Sequence, residues 1–237
     1  GYNCGYNVQQ ENSVAIGYQA GQSGQGFYAI SFGLRAGQNT QGPNGIALGY
    51  EAGANGQKDF GIAVGWRAGH TNQAQEAIAI GNSAGSTNQG SFSIAIGSSS
   101  GSSNQASFAV AIGYQAGQFV QGVNAVAMGF SAGYSSQKNS AIAIGVSAGQ
   151  NTQGTNAIAV GFQAGFTNQQ SGAIAIGANA GAIGITAGAV TGQDVNAIAI
   201  GNSAGRTAQE TGAIAIGFQA GGTLQGTNSV AIGVNAG

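Results

Sequence analysis

Ala77-Ile78-Ala79-Ile80-Gly81 alternates small and branched apolar side chains with a period of two and then stops on glycine. That period marks a β-strand, and isoleucine favours strand further. The glycine supplies the positive φ that a tight corner requires. The same closing glycine stands at Gly17, Gly33, Gly49, Gly65, Gly81, Gly97, Gly113, Gly129, Gly145, Gly161 and Gly177, each step being 16 residues (81 − 65 = 16), and again at Gly201, Gly217 and Gly233. One step, 177 to 201, is 24 residues, or 16 plus 8. Four residues after the anchors comes a second glycine, as in Gly21, Gly53 and Gly149.

Eight residues after the anchors comes glutamine: Gln25, Gln41, Gln57, Gln73, Gln89, Gln105, Gln121, Gln137, Gln153 and Gln169, with Gln9, Gln209 and Gln225 on the same clock and Gln193 eight before Gly201. A helical repeat is excluded, because each glycine in a helix costs about 1 kcal/mol. A strand, a corner, a shorter strand and a second corner make one coil of a β-solenoid. The predicted fold is therefore all-β, with parallel 16-residue coils stacked about 4.8 Å apart in a stiff rod, each touching only its neighbours. Regular coils run over 1–177 and 201–237. An irregular coil holding the eight extra residues occupies 178–200.

Stacked in register, the glutamines form a structural ladder of amides bonded up and down the coils. The alternation leaves two faces to assign. Ile142 and Ile144, Val126 and Met128, and Ile30 and Phe32 share one; Ala143, Ala127, Ala111 and Ala95 share the other. The expectation taken forward puts the large side chains inside and the alanine stripe against another copy of the chain. Alternatively, the coil is so narrow that alanine faces a second part of its own turn.

Composition narrows the chemistry. Glycine is 46 of 237 residues, where roughly 7% is usual, and only 5% of the chain is charged. With 42% hydrophobic residues, disorder is not expected. A net charge of −1 leaves no footprint for nucleic acid. No membrane-spanning segment is expected. The acids Glu11, Glu51, Asp59, Glu76, Asp194 and Glu210 are scattered, and His70 is the lone histidine, expected at a solvated corner. Cys4 occupies an alanine slot (20 − 16 = 4) and is expected to be a small buried residue. These residues suggest no enzyme, no metal site and no cofactor.

Two columns invite attention. Arg35, Glu51 and Arg67 each lie two residues after an anchor, so they should stack as plus, minus, plus in a water-facing column. One residue after the anchors stand Tyr2, Tyr18, Tyr50, Trp66, Tyr114, Phe130, Phe162 and Phe218. Of these, Tyr18, Tyr50, Trp66, Tyr114, Phe130, Phe162 and Phe218 are the candidate surface contacts, since aromatic rings at a corner grip sugars or a partner. Asn82, Ser98, Ala178 and Asn202 interrupt the row.

Asn12-Ser13-Val14-Ala15-Ile16-Gly17 and Asn228-Ser229-Val230-Ala231-Ile232-Gly233, with the variant Asn139-Ser140-Ala141-Ile142-Ala143-Ile144-Gly145, resemble the NSVAIG motif of YadA-like head repeats in trimeric autotransporter adhesins. They also resemble AIAIG repeats of phage and viral fibre proteins. The resemblance implies a left-handed parallel β-roll, three chains side by side in a homotrimer, and an extracellular, cell-surface or virion-surface fibre serving adhesion. Its partner would be a host-surface protein or glycan. The AG-x-x-x-Q-G segment is longer than in the usual bacterial repeat. The chain is read as a segment of a longer fibre protein, or alternatively as a subunit of a self-stacking filament. An ice-binding solenoid would need a regular threonine array, but the column six after the anchors reads Ser23, Asn39, Asn55, Thr71, Thr87, Ser103, Phe119 and Ser135. A solenoid enzyme would need clustered carboxylates, and Glu51 and Asp59 are the nearest approach.

Overall fold

The computed structural model describes residues 1–182 and 192–237, and these hold 27 strands of three residues each and no helix. The chain is an all-β parallel solenoid with 16-residue coils, and it divides into two compact units, Gly1–Val120 and Gln121–Gly237.

In the first unit, the strands from Asn7–Gln9 to Ser103–Gln105 make one parallel sheet and those from Val14–Ile16 to Val110–Ile112 the other. Partners stand one period apart: Ile62 pairs with Ile78 and Ile78 with Ile94, while Thr71 pairs with Thr87 and Thr87 with Ser103. In the second unit, Val126–Met128 through Val230–Ile232 form one sheet, Ser135–Gln137 through Thr167–Gln169 pair across from it, and Thr207–Gln209 pairs with Thr223–Gln225. Across the long step the register survives, with Ile174 opposite Ile198. Residues 183–191, which hold most of the predicted insertion, lie outside the described residues.

Strands this short close a coil because the corners are strongly bent. In the coil that starts at Gly65, positive φ occurs at Gly65 (128°), Arg67 (52°), Gly69 (52°), Asn72 (55°) and Glu76 (56°). Three of these five are ordinary L-residues, and each left-handed residue costs roughly 1–2 kcal/mol. Asparagine tolerates that conformation best, and Asn72 Nδ2 donates to Asn88 Oδ1 (3.1 Å), as Asn88 Nδ2 does to Asn104 Oδ1 (3.0 Å). At the anchor only glycine fits: a Cβ on Gly65 would sit 2.6 Å from the carbonyl oxygen of Gly81.

The faces are assigned opposite to the expectation. Ala36, Ala47, Ala52, Ala63, Ala68, Ala79, Ala84 and Ala95 form a fully buried cluster. Ile80, Ile144, Met128 and Phe32 point outward, Ile80 with 38% of its surface exposed and Phe32 with 55%. Glutamine sets the interior width. From its strand, Gln57 Nε2 reaches across to the carbonyl oxygen of Ile46 in the facing sheet at 2.9 Å. The sheets therefore stand one glutamine side chain apart, and an isoleucine opposite that amide would overfill the gap. Among the described residues the largest fully buried side chains are all glutamines.

Candidate functional site

The first corner of each coil follows its anchor glycine. Backbone bonds stack these corners: Glu51 N donates to Leu34 O (2.9 Å), Arg67 N to Tyr50 O (2.8 Å) and Ser83 N to Trp66 O (2.8 Å). Side chains one after the anchors therefore rise in a file. Tyr50 and Trp66 stack with centroids 6.1 Å apart and planes 10° from parallel, and Tyr2 and Tyr18 do likewise at 5.6 Å. Tyr18, Tyr50, Trp66, Tyr114, Phe130, Phe162 and Phe218 are all exposed. Counting only aromatics understated this file. Leu34 joins Tyr18 to Tyr50, and Val146 joins Phe130 to Phe162, so the apolar file is unbroken from Tyr2 to Trp66 in the first unit.

Beside that file lies the charged column. Arg35 Nη1 reaches Glu51 Oε1 at 3.2 Å and Arg67 Nε reaches Glu51 Oε2 at 3.0 Å. The column does not uniformly face water: Ser131 is 3% exposed, and Glu51 is only 8% exposed, its carboxylate held between the two arginines. His70 is half-buried rather than fully solvated. Its Nε2 lies 3.5 Å from Glu51 Oε2 and its Nδ1 lies 2.8 Å from Thr71 Oγ1. A neutral ring protonated at Nε2 satisfies both contacts, with Thr71 donating to Nδ1. Spacing signalled this meeting, since Gln38 Nε2 approaches Gln19 Oε1 at the same 19-residue separation (38 − 19 = 70 − 51). Arg67 also lies over the Trp66 ring, 5.2 Å from its centroid.

Burial raises the Glu51 carboxyl. Hydrogen bonds from Arg35 and Tyr50, with the charges of Arg67 and His70, outweigh that and hold it below the ordinary value of 4.5. Burial lowers His70 below 6.5. Arg67 lowers it further, and Glu51 opposes both.

The glutamine column lies inside the solenoid. Gln41 Nε2 donates to Gln57 Oε1 (3.1 Å) and Gln57 Nε2 to Gln73 Oε1 (3.0 Å). In the second unit the amide chain runs from Gln121 through Gln137, Gln153, Gln169, Gln193 and Gln209 to Gln225. Gln25, Gln89 and Gln105 are equally buried, and Gln25 and Gln89 donate instead to backbone carbonyls at Val14 and Ile78.

A second aromatic column escaped the sequence reading. Tyr28, Phe60, Phe92 and Phe108 each stand eleven after an anchor (28 − 17 = 11), exposed and with φ of 57–60°. Phe92 and Phe108 stack at 5.2 Å, 2° from parallel. The signal was the same clock applied to a column otherwise rich in Asn and Ser. Cys4 is free and half-buried, not enclosed. Among the described residues no group of His, Cys, Asp and Glu could hold a metal ion, and no helix is long and apolar enough to cross a membrane.

The family model "YadA head domain repeat" matches in two copies, over residues 7–20, 41–68 and 225–236, and over those stretches the chain is similar to that repeat. The middle match contains Tyr50, Glu51, Trp66 and Arg67, and the last contains the Val230–Ile232 strand. No curated protein and no solved structure matches the chain.

Proposed function

We propose that the protein is a non-enzymatic structural and adhesive segment of an extracellular fibre, whose copies associate side by side through the outward aliphatic stripe. One observation carries this reading. In each unit every coil presents two branched or large apolar side chains outward, such as Ile78 with Ile80 and Ile142 with Ile144. A solvent-facing strand normally carries polar residues there, and a contiguous apolar strip of this kind marks an interface. The oligomer seam expected at the alanines thus moves to the isoleucines. The YadA head repeat supports a homotrimer and a surface location. The register of Ile174 with Ile198 across the long step supports reading 1–177 and 201–237 as regular coils.

Light scattering on the intact chain tests this. The expected mass is three chains. Ile78→Ser, Ile80→Ser, Ile94→Ser and Ile96→Ser together should shift it towards one chain while the far-ultraviolet dichroism stays unchanged. A monomeric wild type, or a variant that remains trimeric, overturns the stripe as the seam.

A further inference from the structure

Subtracting what the solenoid needs leaves one corner unexplained. The fold requires glycine at the anchor and four residues later, small residues inside, and glutamine in the ladder. It makes no demand on the identity of side chains one, two and five after the anchor, which other coils fill with Asn, Ser, Ala and Gln, as at Asn82, Ser83, Ser98, Ser99 and Gln118. Yet within the coils anchored at Gly33, Gly49 and Gly65 stand two of the three arginines, the only tryptophan and the only histidine. The arginines and the histidine converge on Glu51, and Trp66 lies under Arg67, in a chain only 5% charged.

We infer that the corner formed by Tyr50, Trp66, Arg35 and Arg67 binds an acidic saccharide, with the apolar face of a sugar ring on the Tyr50–Trp66 stack and its carboxylate or sulfate on the two guanidiniums. Tyr50 and Trp66 are 41% and 46% exposed and stack with planes 10° from parallel, an arrangement already ordered by the backbone bond from Arg67 N to Tyr50 O. Arg35 spends Nε on Gln19 and Nη1 on Glu51, and Arg67 spends Nε on Glu51. Among the described residues no protein acceptor takes Arg35 Nη2 or either Nη of Arg67, and both side chains are 43% exposed. Two arginines against one carboxylate leave a single net positive charge while His70 is neutral. Glu51 holds the guanidiniums in place, which lowers the ordering cost of a bidentate contact with an anion.

This deepens the adhesive reading above and rests on it for the ligand's relevance. The test uses the intact chain and its single tryptophan as reporter. A size-defined heparin oligosaccharide, an oligogalacturonide and neutral maltohexaose are titrated while Trp66 emission is followed. A saturable change with either acidic probe and none with maltohexaose is expected, and a response to one acidic probe alone identifies sulfate or carboxylate as the anion read. Arg35→Gln, Glu51→Gln and Arg67→Gln combined remove the three charges without orphaning any. That variant should bind about tenfold more weakly with unchanged dichroism. No saturable change, an equal response to maltohexaose, or wild-type affinity in the triple variant overturns the inference. Mass measured on the same samples separates the two readings: a monomer that binds sinks the fibre, and a trimer that does not bind sinks the site.

Discussion

Replacing Gln57 by leucine tests whether amides hold the interior. Leucine nearly matches glutamine in size, so little cavity is opened. Four contacts disappear: Gln57 Nε2 to Ile46 O (2.9 Å), to Gly61 O (2.9 Å) and to Gln73 Oε1 (3.0 Å), and Gln41 Nε2 to Gln57 Oε1 (3.1 Å). Gly61 O keeps its bond from Ile46 N, so that loss costs little. Gln41 Nε2 likewise keeps its bonds to Ile30 O and Gly45 O. The other two losses leave buried acceptors short of a donor, at about 1 kcal/mol each net, or about 2 kcal/mol in all. Coils interact with neighbours only, so the damage should stay local. Hydrogen exchange should show faster opening of amides in Asn39–Gln41, Asn55–Gln57 and Thr71–Gln73, with amides near Gly1 and beyond Gly97 unchanged. The chemical unfolding midpoint of the first unit should also fall. A Gln57→Leu variant as protected as wild type, or more so, would refute the idea that a glutamine core specifies this solenoid.

Gly65→Ala places a Cβ 2.6 Å from Gly81 O at φ 128° and should destabilise the adjoining coils by more than about 2 kcal/mol, read as a lowered Tm. Thr152→Asn should stabilise by up to about 1 kcal/mol in denaturant titration, because asparagine tolerates φ 53° better than a β-branched side chain and Asn168 stands one coil on. Acid should destabilise in two steps. Both folded pKa values are lowered, so the unfolded chain binds the proton first: stability present above pH 6.5 starts to fall as His70 titrates, and falls again below pH 4.5 as Glu51 does. In Tm against pH, His70→Gln should remove the upper step and Glu51→Gln the lower; unchanged profiles would show that neither group is linked to folding.

The period of Ala77–Gly81, its return every 16 residues and the glutamines locked to the same clock were enough to specify parallel coils in register, since hydrogen-bonded stacking puts equivalent residues over one another. The stacking of Tyr50 on Trp66 and the pairing of Arg35, Glu51 and Arg67 followed from the same arithmetic. Which face turned inward did not, because alternation defines two faces without naming the inner one, and here both are apolar. Only the closed coil decided it: glutamine sets the gap between the sheets, alanine is what fits beside it, and isoleucine is left outside. The burial of Glu51, the half-burial of His70 and the left-handed φ at Arg67, Asn72 and Glu76 likewise arise from how the corners pack on one another, a relation between coils that no single repeat contains.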